Sequence, residues 1–232
     1  MEDLNPDQRE ILRSSWAVLA IRKDEIGLRI FKLIMKQSPE ARKMFRFSRD
    51  VPYSQIDSLQ YNSAFRFHSL RFVQAIESCI HSLSSVKSLQ PLLCNLGKVH
   101  GKLRDSVGFR THYWAVFVEC TILEIRKHLQ SKPELVPNLE EAVIAWRVLL
   151  NGMVNQMTSA FEADLKLRKK MLLLEYLIFV TQGLFLSLAN AVIVATVLFH
   201  RVLRNRKEFV IIAGLALAHT LSGLGYVFAG SK

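Results

Sequence analysis

Residues 65–103 read FRFHSLRFVQAIESCIHSLSSVKSLQPLLCNLGKVHGKL. Apolar residues recur in this stretch at intervals of three and four, the spacing of one face of an α-helix. Two such stripes are present, and each contains one histidine, His68 or His100. The first stripe holds Phe65, Phe72, Ala75, Ile76, Cys79 and Leu83, and the second holds Leu89, Leu92, Leu93, Leu96 and Leu103. The stretch therefore predicts two consecutive amphipathic helices, each with a histidine on its buried face.

The helical pattern extends over the rest of the first 165 residues. Asn5-Pro6 is typical of a helix N-cap followed by a first-turn proline, and Ser38-Pro39 predicts a turn. We expect the long helices at about 57–83, 86–103, 109–129 and 138–161. Only 6 Pro and 10 Gly occur in 232 residues, too few for the turns of a many-stranded β fold. The sequence predicts an all-α domain with six or more helices.

The composition excludes several classes of protein. Half of the residues are hydrophobic and 22% are charged, so the chain can form a core and is not intrinsically disordered. The three cysteines, Cys79, Cys94 and Cys120, do not suit a disulfide framework or a CxxC metal site. The net charge of +11 is compatible with nucleic acid or anionic lipid. Because the basic residues are spread without an aromatic-basic groove, we expect no nucleic-acid partner.

The last quarter of the chain is much more apolar. Residues 171–199 contain one formal charge, Glu175, and would form a helix of about 43 Å, against a hydrocarbon core of ~30 Å. Residues 209–229 contain no formal charge, and the intervening HRVLRNRKE has four Lys or Arg. We expect a basic linker at 166–170, a transmembrane helix at 171–200, a basic loop at 201–208 and a second transmembrane helix at 209–229. The alternative is a buried helical hairpin of a soluble protein.

The charge bias that orients membrane helices is balanced in this segment. Four basic residues lie in the linker at 166–170, and four lie in the loop at 201–208. The positive-inside rule therefore does not decide on which side of the membrane the first 165 residues lie. We expect a multi-pass membrane protein in contact with the lipid bilayer, with that side left open.

The two histidines have two interpretations. A single histidine on an apolar helix face is more often a hydrogen-bonded core residue than a metal ligand. Two such faces on consecutive long helices favour ligation, because imidazole binds haem iron while remaining neutral and an apolar pocket keeps water from oxidising it. His68 and His100 are thus candidate iron ligands.

Five separated motifs follow one another between residues 4 and 161. They are Trp16, the Pro39 and Phe45 pair, Phe65-x-x-His68, Leu96-Gly97-x-x-His100 and Ala145-Trp146. Together they resemble the globins, in particular the neuroglobin-like and invertebrate globins. The resemblance implies a globin fold of about six to eight helices with a haem pocket, in a domain covering residues 1–165.

The resemblance also implies the roles of individual residues. His100 would be the proximal ligand of the iron of haem b (iron protoporphyrin IX), and His68 the distal residue, able to act as a sixth ligand. The residues expected to contact the haem are Phe45, Phe72, Leu96 and Val107, with Phe109 and Phe117 on the remaining wall. The ligands implied are O₂, CO, NO or small anions.

Arg71 lies three residues after His68 and therefore on the same helix face. One interpretation is an arginine that is solvated or paired with a haem propionate. The sharper hypothesis is that its guanidinium stabilises an anionic ligand, such as hydroxide or nitrite, through charge-assisted hydrogen bonds. With the bulk of Phe72, this hypothesis favours redox or anion chemistry over bulk O₂ transport.

The apolar quarter has a resemblance of its own. It combines Asn190 within an apolar helix, a short basic loop, and Leu215-Ala216-Leu217-Ala218-His219 in the next helix. This pattern resembles the first two helices of a rhodopsin-class seven-helix receptor, with His219 in place of the family's Asp. Peptide-receptor signalling is not expected from two helices alone.

Taken together, these patterns predict a membrane-tethered haem-binding globin that senses oxygen, another gas or redox state. Such a chain would combine a globin with part of a receptor. A binding protein is favoured over an enzyme. The first alternative is a haem-dependent redox enzyme such as a nitrite reductase. The second is a receptor fragment in which the globin is a structural module without haem.

Overall fold

The described chain is built of helices. The computed structural model describes residues 4–136 and 138–229, and within these ranges it contains no strand. The α-helices of these ranges are α1 (Pro6–Ala20), α2 (Lys23–Gln37), α3 (Pro39–Met44), α4 (Ser63–His81), α5 (Gln90–Val107), α6 (Tyr113–Gln130), α7 (Leu139–Phe199), α8 (Arg201–Arg204) and α9 (Lys207–Ala229). Short 3₁₀ helices occupy Tyr53–Tyr61 and Val86–Leu89. The predicted all-α fold is confirmed.

Two predicted helix boundaries are wrong. The helix expected from residue 57 begins at Ser63, because the side chain of Asn62 caps it by accepting a hydrogen bond from the Phe65 backbone N–H. The helix expected to end at residue 161 continues to Phe199. Residues 162–170, EADLKLRKK, are mostly good helix formers and include neither Pro nor Gly. The segment predicted as a linker, 166–170, therefore lies inside α7.

The chain divides into two compact units, Met1–Asp164 and Leu165–Lys232. In the first unit, α2 packs against both α4 and α6. Gly27 lets α2 approach α4 closely, since a Cβ there would lie 2.5 Å from Val73 Cγ2 and 3.2 Å from the Ser69 carbonyl oxygen. This crossing fixes the position of α4, the helix that carries His68.

A second close approach fixes the helix that carries His100. A Cβ at Gly97 of α5 would lie 2.3 Å from the carbonyl oxygen of Met157 and 2.9 Å from Cβ of Ala160, both in α7. Only a residue without a side chain fits at this distance. The middle of α5 is therefore packed directly on the backbone of α7.

A buried hydrogen bond joins the first helix to the last helix of the first unit. The indole N–H of Trp146 donates to the hydroxyl of Ser15 at 3.0 Å, and that hydroxyl donates to the Ile11 carbonyl at 2.6 Å. The rings of Trp16 and Trp146 lie 6.1 Å apart. Because both polar groups are paired, Trp146 can be fully buried at this crossing.

The second unit differs from the first in which side chains are buried and which are exposed. Its buried residues are mostly small or polar, and they include Ser187, Asn190, Val197 and Ala216. The hydroxyl of Ser187 donates to the Thr220 carbonyl at 3.3 Å, which links α7 to α9 within this unit. Large apolar side chains point outward instead, such as Phe185 and Phe199, which are 76% and 89% exposed.

One helix within the described residues, Leu139–Phe199, is long and apolar enough to cross a membrane. Its most apolar stretch of 18 residues has a mean hydropathy of 2.1, and 17% of that stretch is buried. The second predicted span, 209–229, forms a helix within α9 but is not confirmed as a membrane span. Part of it, including the side chains of residues 226–229, lies outside the described residues.

We expect Gly97→Ala to destabilise the protein by about 1–3 kcal/mol, because the new methyl group would collide with backbone in α7. Gly27→Ala should cost less, since the nearest backbone atom, the Ser69 carbonyl oxygen, would lie 3.2 Å from the new Cβ rather than 2.3 Å. Thermal unfolding of the full chain, followed by circular dichroism, measures both effects. Gly214→Ala is the matched control, because a Cβ there meets nothing within 4 Å. Equal melting temperatures for all three variants would contradict the packing described here.

Candidate functional site

His100 is half-buried on α5, and its ring is oriented by its own helix. Its Nδ1 lies 2.8 Å from the carbonyl oxygen of Leu96, one turn earlier. A carbonyl can only accept, so Nδ1 carries the proton and donates, and Nε2 keeps a lone pair for a ligand bond. Burial lowers the pKa of His100, although the hydrogen bond to Leu96 opposes this effect. The imidazole is therefore neutral at pH 7.

Aromatic rings surround the His100 imidazole. Phe109 lies 4.9 Å from it between ring centroids, and Trp114 lies 5.7 Å from it. Phe161 of α7 contacts both of these rings, at 6.0 Å from Phe109 and 5.7 Å from Trp114. The side of the site around His100 is thus an apolar wall contributed by α6, α7 and the segment after α5.

His68 is half-buried on α4 among phenylalanines. The ring centroids of Phe31, Phe45 and Phe47 lie 5.0, 4.9 and 6.2 Å from the His68 ring. Burial lowers the pKa of His68 to about 4, and the charges of His100 and Arg71 add to this effect. The second imidazole is therefore also neutral at pH 7 and has a lone pair available.

The two histidine-bearing helices, α4 and α5, are not in close backbone contact. Within the described residues, α4 packs on α1 and α2, but α5 is not among its close neighbours. The imidazoles still influence each other, since the charge of His100 contributes to the low pKa of His68.

The remaining predicted residues lie around the two histidines. Phe45 and Phe72 are partly buried and pack against the apolar cluster that includes Phe31. Phe72 also lies 4.7 Å from Phe117, between ring centroids. Leu96 is half-buried one turn before His100, and Val107 is the half-buried last residue of α5. The ring contacts to His100 come from Phe109 and Trp114, not from Val107.

Arg71 is exposed at the surface of α4. Its guanidinium carbon lies 5.9 Å from the centroid of the Phe67 ring, and Phe67 is itself 62% exposed. Arg71 acts on the site through its charge, which contributes to the low pKa of His68. Its position in the structure is therefore beside the pocket, at the solvent side.

Four aromatic residues of the site are not evident in the sequence. Phe31 belongs to an ordinary apolar stripe of α2, and nothing in that stripe marks a contact with His68. Phe47 lies in the irregular segment after α3, where no periodicity exists. Trp114 contacts His100, and Phe161 contacts Trp114, only through the packing of α6 and α7. No spacing within the chain could have indicated these four contacts.

Comparisons with known proteins identify the family to which this fold belongs. The globin family matches residues 28–157. Globin-related protein glb-13 of Caenorhabditis elegans is 27% identical over 161 residues, which cover 68% of this chain and 52% of that protein. Neuroglobin of Dissostichus mawsoni is 28% identical over 115 residues, which cover 50% of this chain and 69% of that protein.

A solved structure has the same fold. The hexacoordinated heme protein of an anhydrobiotic tardigrade matches with a TM-score of 0.60 and 14% sequence identity, covering 69% of this chain and 96% of that chain. Because the family match covers more than half of the residues, the chain belongs to the globin family. It spans about half the length of glb-13. The comparisons support the globin domain but not the receptor resemblance of residues 171–229, which depends on sequence pattern alone.

The low pKa of His68 predicts acid destabilisation of the haem-free protein. The ordinary pKa is 6.5 and the folded pKa is about 4, so the unfolded chain binds the proton more tightly. The contribution of His68 to stability is complete above pH 6.5 and is lost as the pH falls to 4, by up to about 3 kcal/mol. Denaturant unfolding between pH 7 and 4, compared with His68→Leu, measures this loss.

Arg71→Leu provides the matching control for that experiment. Removing its positive charge should raise the pKa of His68 only partly toward 6.5, because burial is the larger cause. The loss of stability on acidification should therefore become smaller without disappearing. Parallel pH profiles for the parent protein and His68→Leu would contradict the assignment.

Proposed function

We propose that the region between α4 and α5 binds haem b, with His100 as the proximal iron ligand. No group of three His, Cys, Asp or Glu side chains that could hold a bare metal ion occurs within the described residues. Two facing neutral imidazoles suit a metal that brings its equatorial ligands in a macrocycle of its own. Cys79, Cys94 and Cys120 lack the CxxCH spacing of covalent attachment, which favours haem b.

The single observation that carries this proposal is the hydrogen bond from His100 Nδ1 to the Leu96 carbonyl. It fixes both the tautomer and the rotation of the ring, so that Nε2 would be free to bind iron. Phe109 and Trp114 keep the ring in an apolar environment, and low polarity around the iron limits access of water. When bound, the haem would supply an iron centre that binds a small gas reversibly.

His68 is the proposed distal residue. As a neutral imidazole it can donate a hydrogen bond to a bound gas or act as a sixth ligand. Phe45, Phe72, Leu96 and Val107 would contact the porphyrin or the ligand. O₂, CO and NO are neutral and suit this apolar surrounding, which is the main support for gas binding.

The position of Arg71 discriminates between gas binding and the enzymatic alternative, a haem-dependent nitrite reductase. An anionic substrate would need a cation that reaches the ligand, and Arg71 is exposed beside Phe67. This position supports a long-range electrostatic effect or pairing with a propionate rather than direct substrate contact. We therefore favour a binding protein that senses gas or redox state.

We also propose that the second unit tethers this globin to a lipid bilayer. Large apolar side chains face outward, while the Ser187 hydroxyl donates to the Thr220 carbonyl of the other helix inside the unit. Small and polar residues between helices and large apolar residues outside are typical of packing in lipid, where burial of apolar side chains gives no driving force. The basic residues at 166–170 and 201–208 lie at the two ends of the apolar stretch and suit the headgroup region.

The haem proposal predicts that the purified full chain, supplied with haem, has a Soret band that shifts when CO is added to the ferrous form. His100→Ala should abolish this shift or alter the spectrum strongly, because the axial bond is lost. His81→Ala is the control, since His81 is an exposed histidine at the end of α4. An unchanged spectrum in His100→Ala would contradict the assignment of the proximal ligand.

The tether proposal predicts that the full chain remains in the membrane pellet after alkaline extraction. Arginine substitution of the outward-facing Leu188 and Val192 together should release it, since each arginine near the centre of a span costs about 3 kcal/mol. The control places the same substitutions at Ile21 and Ile144, which are exposed apolar residues of the first unit. Release of the parent protein would overturn the tether.

A further inference from the structure

The basic loop, residues 201–208, carries a compact group of positive charges in the second unit. Its four cations are all exposed, and they are Arg201, Arg204, Arg206 and Lys207. Within the described part of the chain none of them forms an ion pair. Arg204 Nη1 donates to the Leu198 carbonyl at 3.3 Å, a contact that brings no negative charge. With the single acidic residue Glu208, the loop has a net charge of +3.

The backbone of the basic loop holds these cations close together. α7 ends before His200, whose backbone is extended at φ −94° and ψ 106°. The Arg204 N–H then donates to the His200 carbonyl at 3.1 Å, and the Arg206 N–H donates to the Leu203 carbonyl at 3.1 Å. The short helix α8 within the loop rises only about 6 Å along its axis, and one headgroup layer of a bilayer is about 5–8 Å thick. The cations can therefore lie together at the depth of one headgroup layer.

Apolar side chains are exposed at the same place as the cations. Phe199, the last residue of α7, is 89% exposed, and Val202 inside the loop is 64% exposed. An acidic protein or a nucleic acid would pair with the cations but would leave these two side chains without an apolar environment. A phospholipid supplies both parts, because arginine binds phosphate oxygens through charge-assisted hydrogen bonds and the acyl chains accept apolar groups. The composition of the loop therefore favours a lipid partner.

The other basic segment, 166–170, has the same number of cations but a different electrostatic character. It lies inside the continuous helix α7, where successive residues are rotated by about 100° around the axis. Its cations therefore point in different directions. Within five residues of its ends it also has three acidic neighbours, Glu162, Asp164 and Glu175, which reduce the net charge to +1. The two ends of the apolar stretch are thus not equivalent to an anionic surface.

We propose that the basic loop binds the headgroup phosphates of anionic phospholipids and so lies in the leaflet that is richer in them. This inference rests on the proposed tether. Attraction between cations and an anionic leaflet falls off within a Debye length, about 10 Å at 0.1 M salt. A compact loop with a net charge of +3 experiences this attraction as one unit, whereas the segment 166–170 contributes little to it.

The test measures the lipid selectivity of the full chain in phosphatidylcholine bilayers, with spin-labelled phosphatidylglycerol or spin-labelled phosphatidylcholine as the probe. Electron paramagnetic resonance gives the fraction of each probe that the protein immobilises, and hence the association constant of the anionic lipid relative to the zwitterionic lipid. We expect this ratio to be several-fold above one for the parent protein. It should fall close to one when glutamine replaces all four cations, Arg201, Arg204, Arg206 and Lys207.

The matched control removes the same number of charges at the other end of the apolar stretch. Glutamine is placed at Lys166, Arg168, Lys169 and Lys170, and the ratio should stay near the parent value. Equal losses in the two fourfold variants would overturn the assignment to the basic loop. If the loop variant does not insert into bilayers, the double variant Arg206→Gln with Lys207→Gln, compared with Lys169→Gln with Lys170→Gln, decides the question.

Flotation of the same preparations with phosphatidylcholine vesicles, after alkaline extraction, separates the possible failures. A parent protein that floats but shows no preference for phosphatidylglycerol overturns the lipid site and leaves the tether standing; this is the result expected if the loop binds an acidic protein instead. A preference that neither glutamine variant reduces also overturns the site. A parent protein that does not float overturns the tether and the lipid site together.

Discussion

The contact between Gly97 and the Met157 carbonyl is the constraint on which the candidate site depends. It sets the distance between α5 and α7, and through α5 it places His100 one turn later. The equivalent contact for His68 is the crossing of α2 and α4 at Gly27, against the Ser69 carbonyl. Each histidine is therefore held by a glycine crossing on another helix, so the two imidazoles are positioned without close contact between their own helices.

The electrostatics of the site follow from burial rather than from charge pairing. Desolvation is the largest cause of the lowered pKa of both His68 and His100. A neutral imidazole costs less to bury than its charged form, so the apolar wall and the neutral state support each other. The net charge of +11 plays no direct part, and Arg71 contributes only the smallest effect on His68.

The two units differ in which side chains they bury. The first unit buries its large side chains, for example Trp146 and Phe65, and pairs the polar groups that accompany them. The second unit buries Ser187 and Asn190 and exposes phenylalanine and leucine. A single helix, α7, contains both patterns in succession. Its first part lies in a protein core, and the exposed apolar side chains of its second part are the basis of the proposed tether.

Residue spacing by itself determined the all-α class, the apolar stripes around His68 and His100, and the apolar stretch at 171–199, because each of these depends on neighbours within one helix. It did not determine the start of α4, which a capping bond from Asn62 decides, or the continuation of α7 beyond residue 161. Phe31 and Trp114 reach the histidines only when different helices pack together. Contacts between helices depend on crossing distances set by Gly27 and Gly97, and a one-dimensional pattern contains no information about such distances until the chain is folded.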